Sequence, residues 1–341
     1  MAPRDVRPVY FLIVLLPVGV FVLQGWLVQT FGVPDLPVSA DILQANVPHL
    51  EAQGRMRFLA ALSIYMLVAV VAATVLIEAL CRPLTRRSRV LAVAALAVLA
   101  VPVALKVWAH QSDPNSYRGY FQMGRSLVEA ALAQGVVPGC TAPTDRFILG
   151  PCGEAPALEI LRHGLDFVNL VAGVAVGSMA VASILCLGAP QLAGLRAEDQ
   201  PAEKLEALQA NAAQLKKTLY VSSLVLSTGM FLALSWMHWP LEMIAKDHRK
   251  DYETALGGTE LLFGVYFSLL LLSFYLPVSF LLDLRARRLA GAALGAGSGE
   301  TKRRAWAVEN GLTTDFQQML KEGLAIAGPV LAALTGGVAL F

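Results

Sequence analysis

The stretch FLAALSIYMLVAVVAATVLIEALCRPLTRRSRVLAVAALAVLAVPVALKVW, residues 58–108, decides the fold. Its two apolar runs, 58–81 and 90–108, hold one charged residue each, Glu78 and Lys106. Between them stand Arg82, Arg86, Arg87 and Arg89. A helix needs about 20 apolar residues to cross the hydrocarbon of a bilayer, so each run reads as a membrane span. The short basic connection marks the cytoplasmic side, where lysine and arginine collect.

Working outward, residues 9–31, 165–187, 219–239 and 261–282 form four further runs of this kind. Composition agrees: 56% of the chain is hydrophobic and 15% charged, against about a quarter charged in soluble domains. A water-soluble chain of 341 residues has no core large enough to hide that much apolar surface. The net charge of +2 gives no basis for nucleic-acid binding. The first run follows Arg4 and Arg7 but lacks an A-x-A-like cleavage site and exceeds a signal-peptide core in length, so it reads as an anchor. The fold class is therefore an all-α, polytopic helical membrane protein with six transmembrane helices.

Basic residues set the orientation. Arg4 and Arg7, then Arg196, Lys204, Lys216 and Lys217, then the group from Arg285 to Lys321, fall on the same side as the arginine connection. Both termini are expected in the cytoplasm, with the chain in the cell membrane, or the inner membrane of a bacterium. Trp26, Trp108, Trp236 and Trp239 fall near the outer ends of their runs, as headgroup-level indoles do.

Residues 1–108 hold spans one to three, and 109–164 form a small extracytoplasmic cap with a short helix near 117–134. Cys140 and Cys152 flank a Gly- and Pro-rich loop there, and a disulfide between them suits an oxidising compartment. Cys81 and Cys186 read as small apolar residues in or beside spans. Residues 165–188 carry span four, 189–218 a cytoplasmic amphipathic helix, and 219–283 spans five and six. In the cytoplasmic helix, Leu205, Leu208, Ala212, Leu215 and Leu219 repeat at alternating steps of three and four, a coiled-coil seam open to a helix of this chain or of a second copy. With no breaker after it, the seam extends span five inward as one helix. In 284–341 an Ala/Gly/Ser stretch reads as a flexible linker, and Thr314 to Gln317 fits a capping box. Residues 323–341 are apolar but interrupted by Gly328-Pro329 and Gly336-Gly337. They read as a helix in the inner interface, re-entrant, or tucked into the bundle.

Candidate chemistry is sparse. His110, His163 and His238 share a depth at the outer ends of spans and are candidates for a metal or haem, though no ligand-type spacing supports them. Lys106, Asp166, Glu242 and Glu260 sit near the outer boundary, where they snorkel or pair. Glu78 pairs with Arg82 one turn on. Gln24, Asn169, Ser222, Ser227 and Thr228 are uncharged polar groups inside spans and form a candidate polar path. Gly173, Gly177 and Gly229 allow close helix packing. Nucleotide-binding, metalloprotease and serine-hydrolase motifs are all missing from the sequence.

Three functions fit. The first is a non-enzymatic, cofactor-free membrane component, pore-like, signal-transmitting or anchoring, that assembles with itself or a partner membrane protein. The second is a small-solute transporter or channel. The third is a redox protein with a metal or haem at the outer histidines.

Overall fold

A computed structural model describes residues 3–31, 48–112, 156–190, 200–295, 298–312 and 316–339, with a few positions between 125 and 151. The helices are α1 (Leu15–Phe31), α2 (Pro48–Cys81), α3 (Arg86–Ser112), α4 (Pro156–Leu185), α5 (Gln200–His238), α6 (Lys246–Leu294), α7 (Glu300–Glu309) and α8 (Phe316–Ala339). A 3-10 segment, Pro8–Val14, leads into α1, and another, Trp239–Met243, separates α5 from α6. Among the described residues, six helices are long and apolar enough to cross a membrane.

The centre of the bundle is α4 and α5, whose spans are each 61% buried, whereas that of α3 is only 11% buried. Val93, Val101, Leu105 and Trp108 turn outward from α3, as do Val22, Leu23 and Trp26 from α1. Apolar surface this continuous is unfavourable in water and suits hydrocarbon. In the stretch expected to form the cap, Arg125, Leu127, Val128, Ala130 and Ala131 are helical, and Leu127, Val128 and Ala131 are buried. Cys140 and Cys152 lie outside the described residues, as does the first half of the Thr314–Gln317 box.

Three expectations need correction. Trp236 and Trp239 do not fringe the bundle; both are buried, and with Phe58 they form an aromatic cluster with ring centroids 5.6–5.8 Å apart. Glu78 pairs across helices with Lys217 at 2.5 Å, while Arg82 donates to Gln214 Oε1 at 2.8 Å. The supposed linker after span six is helical as far as Leu294, ending at Gly295 with φ of 87°. Its alanines are strong helix formers, Ala290 is buried, and α7 folds back so that Arg303 covers Gly291.

The arginine-rich end of the bundle is closed by the amino-terminal segment. Strand β1 (Arg4–Asp5) pairs antiparallel with β4 (Ala189–Pro190), Arg4 opposite Pro190; two short strands, β2 (Arg146–Phe147) and β3 (Gly150–Pro151), pair elsewhere. Arg4 N–H donates to Pro83 O at 2.6 Å, and Arg4 O accepts from Thr85 N–H at 3.0 Å. Thr85 Oγ1 caps α3 by accepting from Ser88 N–H at 3.2 Å. Thr85 and Ser88 hydroxyls both donate to Asp5 Oδ1. Burial, and after it Arg82, lowers the Arg4 pKa from its ordinary value. Its guanidinium donates to Asn211 Oδ1 at 2.9 Å, and Asn211 Nδ2 donates to Gly188 O at 2.8 Å. Arg285 donates to Leu187 O at 2.7 Å and lies 5.3 Å from the Tyr10 ring centroid.

Helix α8 is tucked along the bundle between α5 and α6 instead of lying across its end. Pro329 has no N–H for the carbonyl four residues back, Ala325 O, and hydroxyls of neighbouring helices donate to this carbonyl and the next. Ser223 of α5 donates to Ala325 O at 2.6 Å, and Ser268 of α6 donates to Ile326 O at 2.9 Å. Tyr275 O–H donates to Glu322 at 2.9 Å, while Gly264 leaves room for Val330 and Ala333. Residue numbers thus fall along α6 as they rise along α8, so the two run antiparallel and α8 runs parallel to α5.

Candidate functional site

A cavity of about 200 Å³ lies within the half of the bundle away from the arginine-rich end. Its walls come from α1, α2, α3, α4, α5 and α6. Most of the lining is apolar: Val18 and Phe21 from α1, Leu99 and Val103 from α3, Leu226 and Ala233 from α5. Tyr65, Phe263, Tyr266 and Phe267 add aromatic surface. The polar groups are few: Gln24, Lys106, His110 and Asn169.

Local packing explains why space remains here. The segment Pro8–Val14 leans on α3, whereas α1 proper packs chiefly on α6 and barely meets α3. The two helices therefore diverge beyond the 3-10 segment, leaving a wedge between them. Lys106 bridges it. Its side chain is exposed on α3, and Nζ lies 5.5 Å from the Phe21 ring centroid of α1, within cation–π range. Gln24 stands one turn beyond Phe21 on α1, on the same face. Its Nε2 is buried and meets no acceptor among the described residues.

Of the expected polar path, Gln24 and Asn169 line this cavity. The hydroxyls do not continue it. Ser222 donates to Thr218 O at 2.6 Å and Thr228 to Leu224 O at 2.7 Å, each within α5, and Ser227 faces Gly328 of α8. Pro17, Pro102 and Pro277 read in the sequence as helix benders, with a central cavity or gate at the bends as the alternative; Pro17 and Pro102 line the cavity.

The glycines pack inside the chain. A Cβ on Gly173 would meet Val103 at 2.7 Å, one on Gly177 would meet Leu96 at 3.2 Å, and one on Gly229 would meet Tyr65 at 3.3 Å. Gly173 and Gly177 therefore bring α4 against α3, and Gly229 brings α5 against α2. The seam is occupied too: Leu208, Leu215 and Leu219 are buried in the core of this chain, with Leu205 packed against it.

The histidines take separate partners. His110 Nδ1 lies 3.5 Å from Asp166 Oδ1, tying α3 to α4, and both residues are buried. His238 Nε2 lies 2.5 Å from Glu260 Oε1, tying α5 to α6. His163 is exposed. Among the described residues, no three His, Cys, Asp or Glu side chains come together as a metal site.

Sequence reasoning missed the part Lys106 plays. The signal was present, since it is the only charge in its run and none of its neighbours three or four residues away is a carboxylate. Phe21 and Tyr266 carried no signal, because one aromatic residue in an apolar run resembles any other. Compared with known proteins, the chain matches no protein-family model, no curated protein and no solved structure.

Proposed function

We propose that this chain is a multi-pass protein of the cell membrane that binds a small, largely apolar solute inside its bundle, as a carrier or receptor. The cavity carries this reading: about 200 Å³ of mainly apolar space, somewhat larger than an engineered void of about 150 Å³ that stays dry and takes up benzene. Membrane bundles place ligand sites among facing helices, with a few polar groups fixing orientation. The seam and the glycines that motivated an assembly role meet partners within this chain, so the second of the three sequence readings moves to the front.

The arginine clusters favour the β1 end as the cytoplasmic one, which puts the cavity in the outer half of the bilayer. On that orientation α8 rises from the cytoplasmic end beside α5. Residue 339 then lies toward the outer face, and this reading replaces the expectation that both termini are cytoplasmic.

Photolabelling in lipid nanodiscs with an uncharged aryl diazirine tests the cavity. Val103 and Phe267 should be labelled in the wild type, and Ala172→Phe, which fills the space, should reduce that labelling at least tenfold. Lipid-facing Val93 should be labelled equally in both proteins. Equal labelling of Val103 in the filled variant would remove the basis for this function.

A further inference from the structure

We infer that the cavity takes the head and proximal chain of a single-chain anionic lipid, with Lys106 Nζ and Gln24 Nε2 binding its carboxylate or phosphate oxygens. This rests on the cavity reading above and adds the ligand class and its route of entry.

Three observations converge. First, Lys106 is the only lysine or arginine lining the cavity among the described residues, and it makes no ion pair among them. An ammonium in a span is costly unless something compensates it, and the Phe21 ring supplies only part of that compensation. Its Nζ lies beside the Phe21 ring of α1. Asp166 of α4 is paired with His110.

Second, Gln24 Nε2 is a buried donor with no acceptor among the described residues. Unmet buried donors cost free energy, and this one stands a turn from the ring that Lys106 covers. Ammonium and amide are both donors, so an acceptor-only anion satisfies both at once. A cation or a neutral hydrocarbon satisfies neither.

Third, the rest of the lining is mainly apolar, and α1 and α3 diverge beside it. The volume holds a length of acyl chain but not a whole lipid. A single-chain molecule can seat its head against Lys106 and pass its remaining chain through the wedge into the bilayer.

The test compares a photoreactive diazirine fatty acid with its methyl ester on the protein in nanodiscs of zwitterionic lipid. The acid should label Val103 and Phe267 at least tenfold more strongly than the ester. Lys106→Gln should abolish the difference, and Lys106→Arg should keep most of it. Oleate and a lysophosphatidate are then added as competitors. Displacement by oleate assigns a fatty acid, displacement by lysophosphatidate alone assigns a phospholipid fragment, and displacement by neither overturns the anion site. Equal labelling by acid and ester also overturns it, while leaving the cavity intact. If acid, ester and the uncharged aryl probe all fail to label Val103, the cavity reading itself has failed.

Discussion

At the scale of single residues, what a polar group can satisfy locally decides whether it is available for function. A serine or threonine in a helix can donate to the carbonyl one turn back, and Ser222 and Thr228 do so. Their presence in an apolar run therefore said little about a solute path. Gln24 and Asn169, by contrast, face the cavity. That part of the site was legible in sequence, while the role of Lys106 needed the neighbouring helix to be seen. The same logic separates the two described cysteines. Cys186 is buried, with its thiol donating to Ala182 O at 3.3 Å, whereas Cys81 is exposed beside the arginine connection. Treatment of the folded protein with N-ethylmaleimide at pH 7.5 should modify Cys81 and spare Cys186, with both modified after denaturation. Peptide mass spectrometry distinguishes them, and early modification of Cys186 would contradict its packing.

At the scale of elements, continuity was easy to read and interruption was not. Helix α5 runs for 39 residues because nothing in its sequence breaks it, so the inward extension of span five was visible beforehand. The Ala/Gly/Ser stretch after span six looked like a linker, yet burial of Ala290 and the return of α7 keep its start helical. Helix α8 was disguised in the opposite way. Its Gly-Pro pair resembles a break, and only the hydroxyls of two other helices make it tolerable. This gives a testable coupling. Ser223→Ala should destabilise the protein by about 1–2 kcal/mol, because it leaves the Ala325 carbonyl without a donor. Pro329→Ala restores a backbone N–H for that same carbonyl. In that background the Ser223→Ala cost should fall to a few tenths of a kcal/mol, by double-mutant cycle in denaturant titrations. Equal costs in the two backgrounds would show that the serine does not serve the proline.

At the scale of the whole molecule, the helical class was legible in the apolar runs, and among the described residues six helices are long and apolar enough to cross a membrane. The direction of its last helix was hidden, because direction comes from pairings between distant residues. Glu322 meets Tyr275 near the arginine-rich end, Ala325 and Ile326 meet Ser223 and Ser268 further along, and Ala333 meets Gly264 beyond them. From residue 322 to residue 333 the helix advances about 16 Å, roughly half of the hydrocarbon thickness. The whole of α8, 24 residues, is about 36 Å long, enough to cross. With β1 and the arginine clusters holding one end of the bundle, the two ends of α8 should face opposite compartments. Single cysteines placed by Lys321→Cys and Ala339→Cys in a cysteine-free background test this with a membrane-impermeant maleimide. The first should react only from the side that carries the arginine connection, in inverted vesicles on the proposed orientation, and the second only from the opposite side, in intact spheroplasts. Labelling of both from one side would mean that α8 enters the bundle and turns back, and the bundle would then have six crossings with α8 as an inserted wedge.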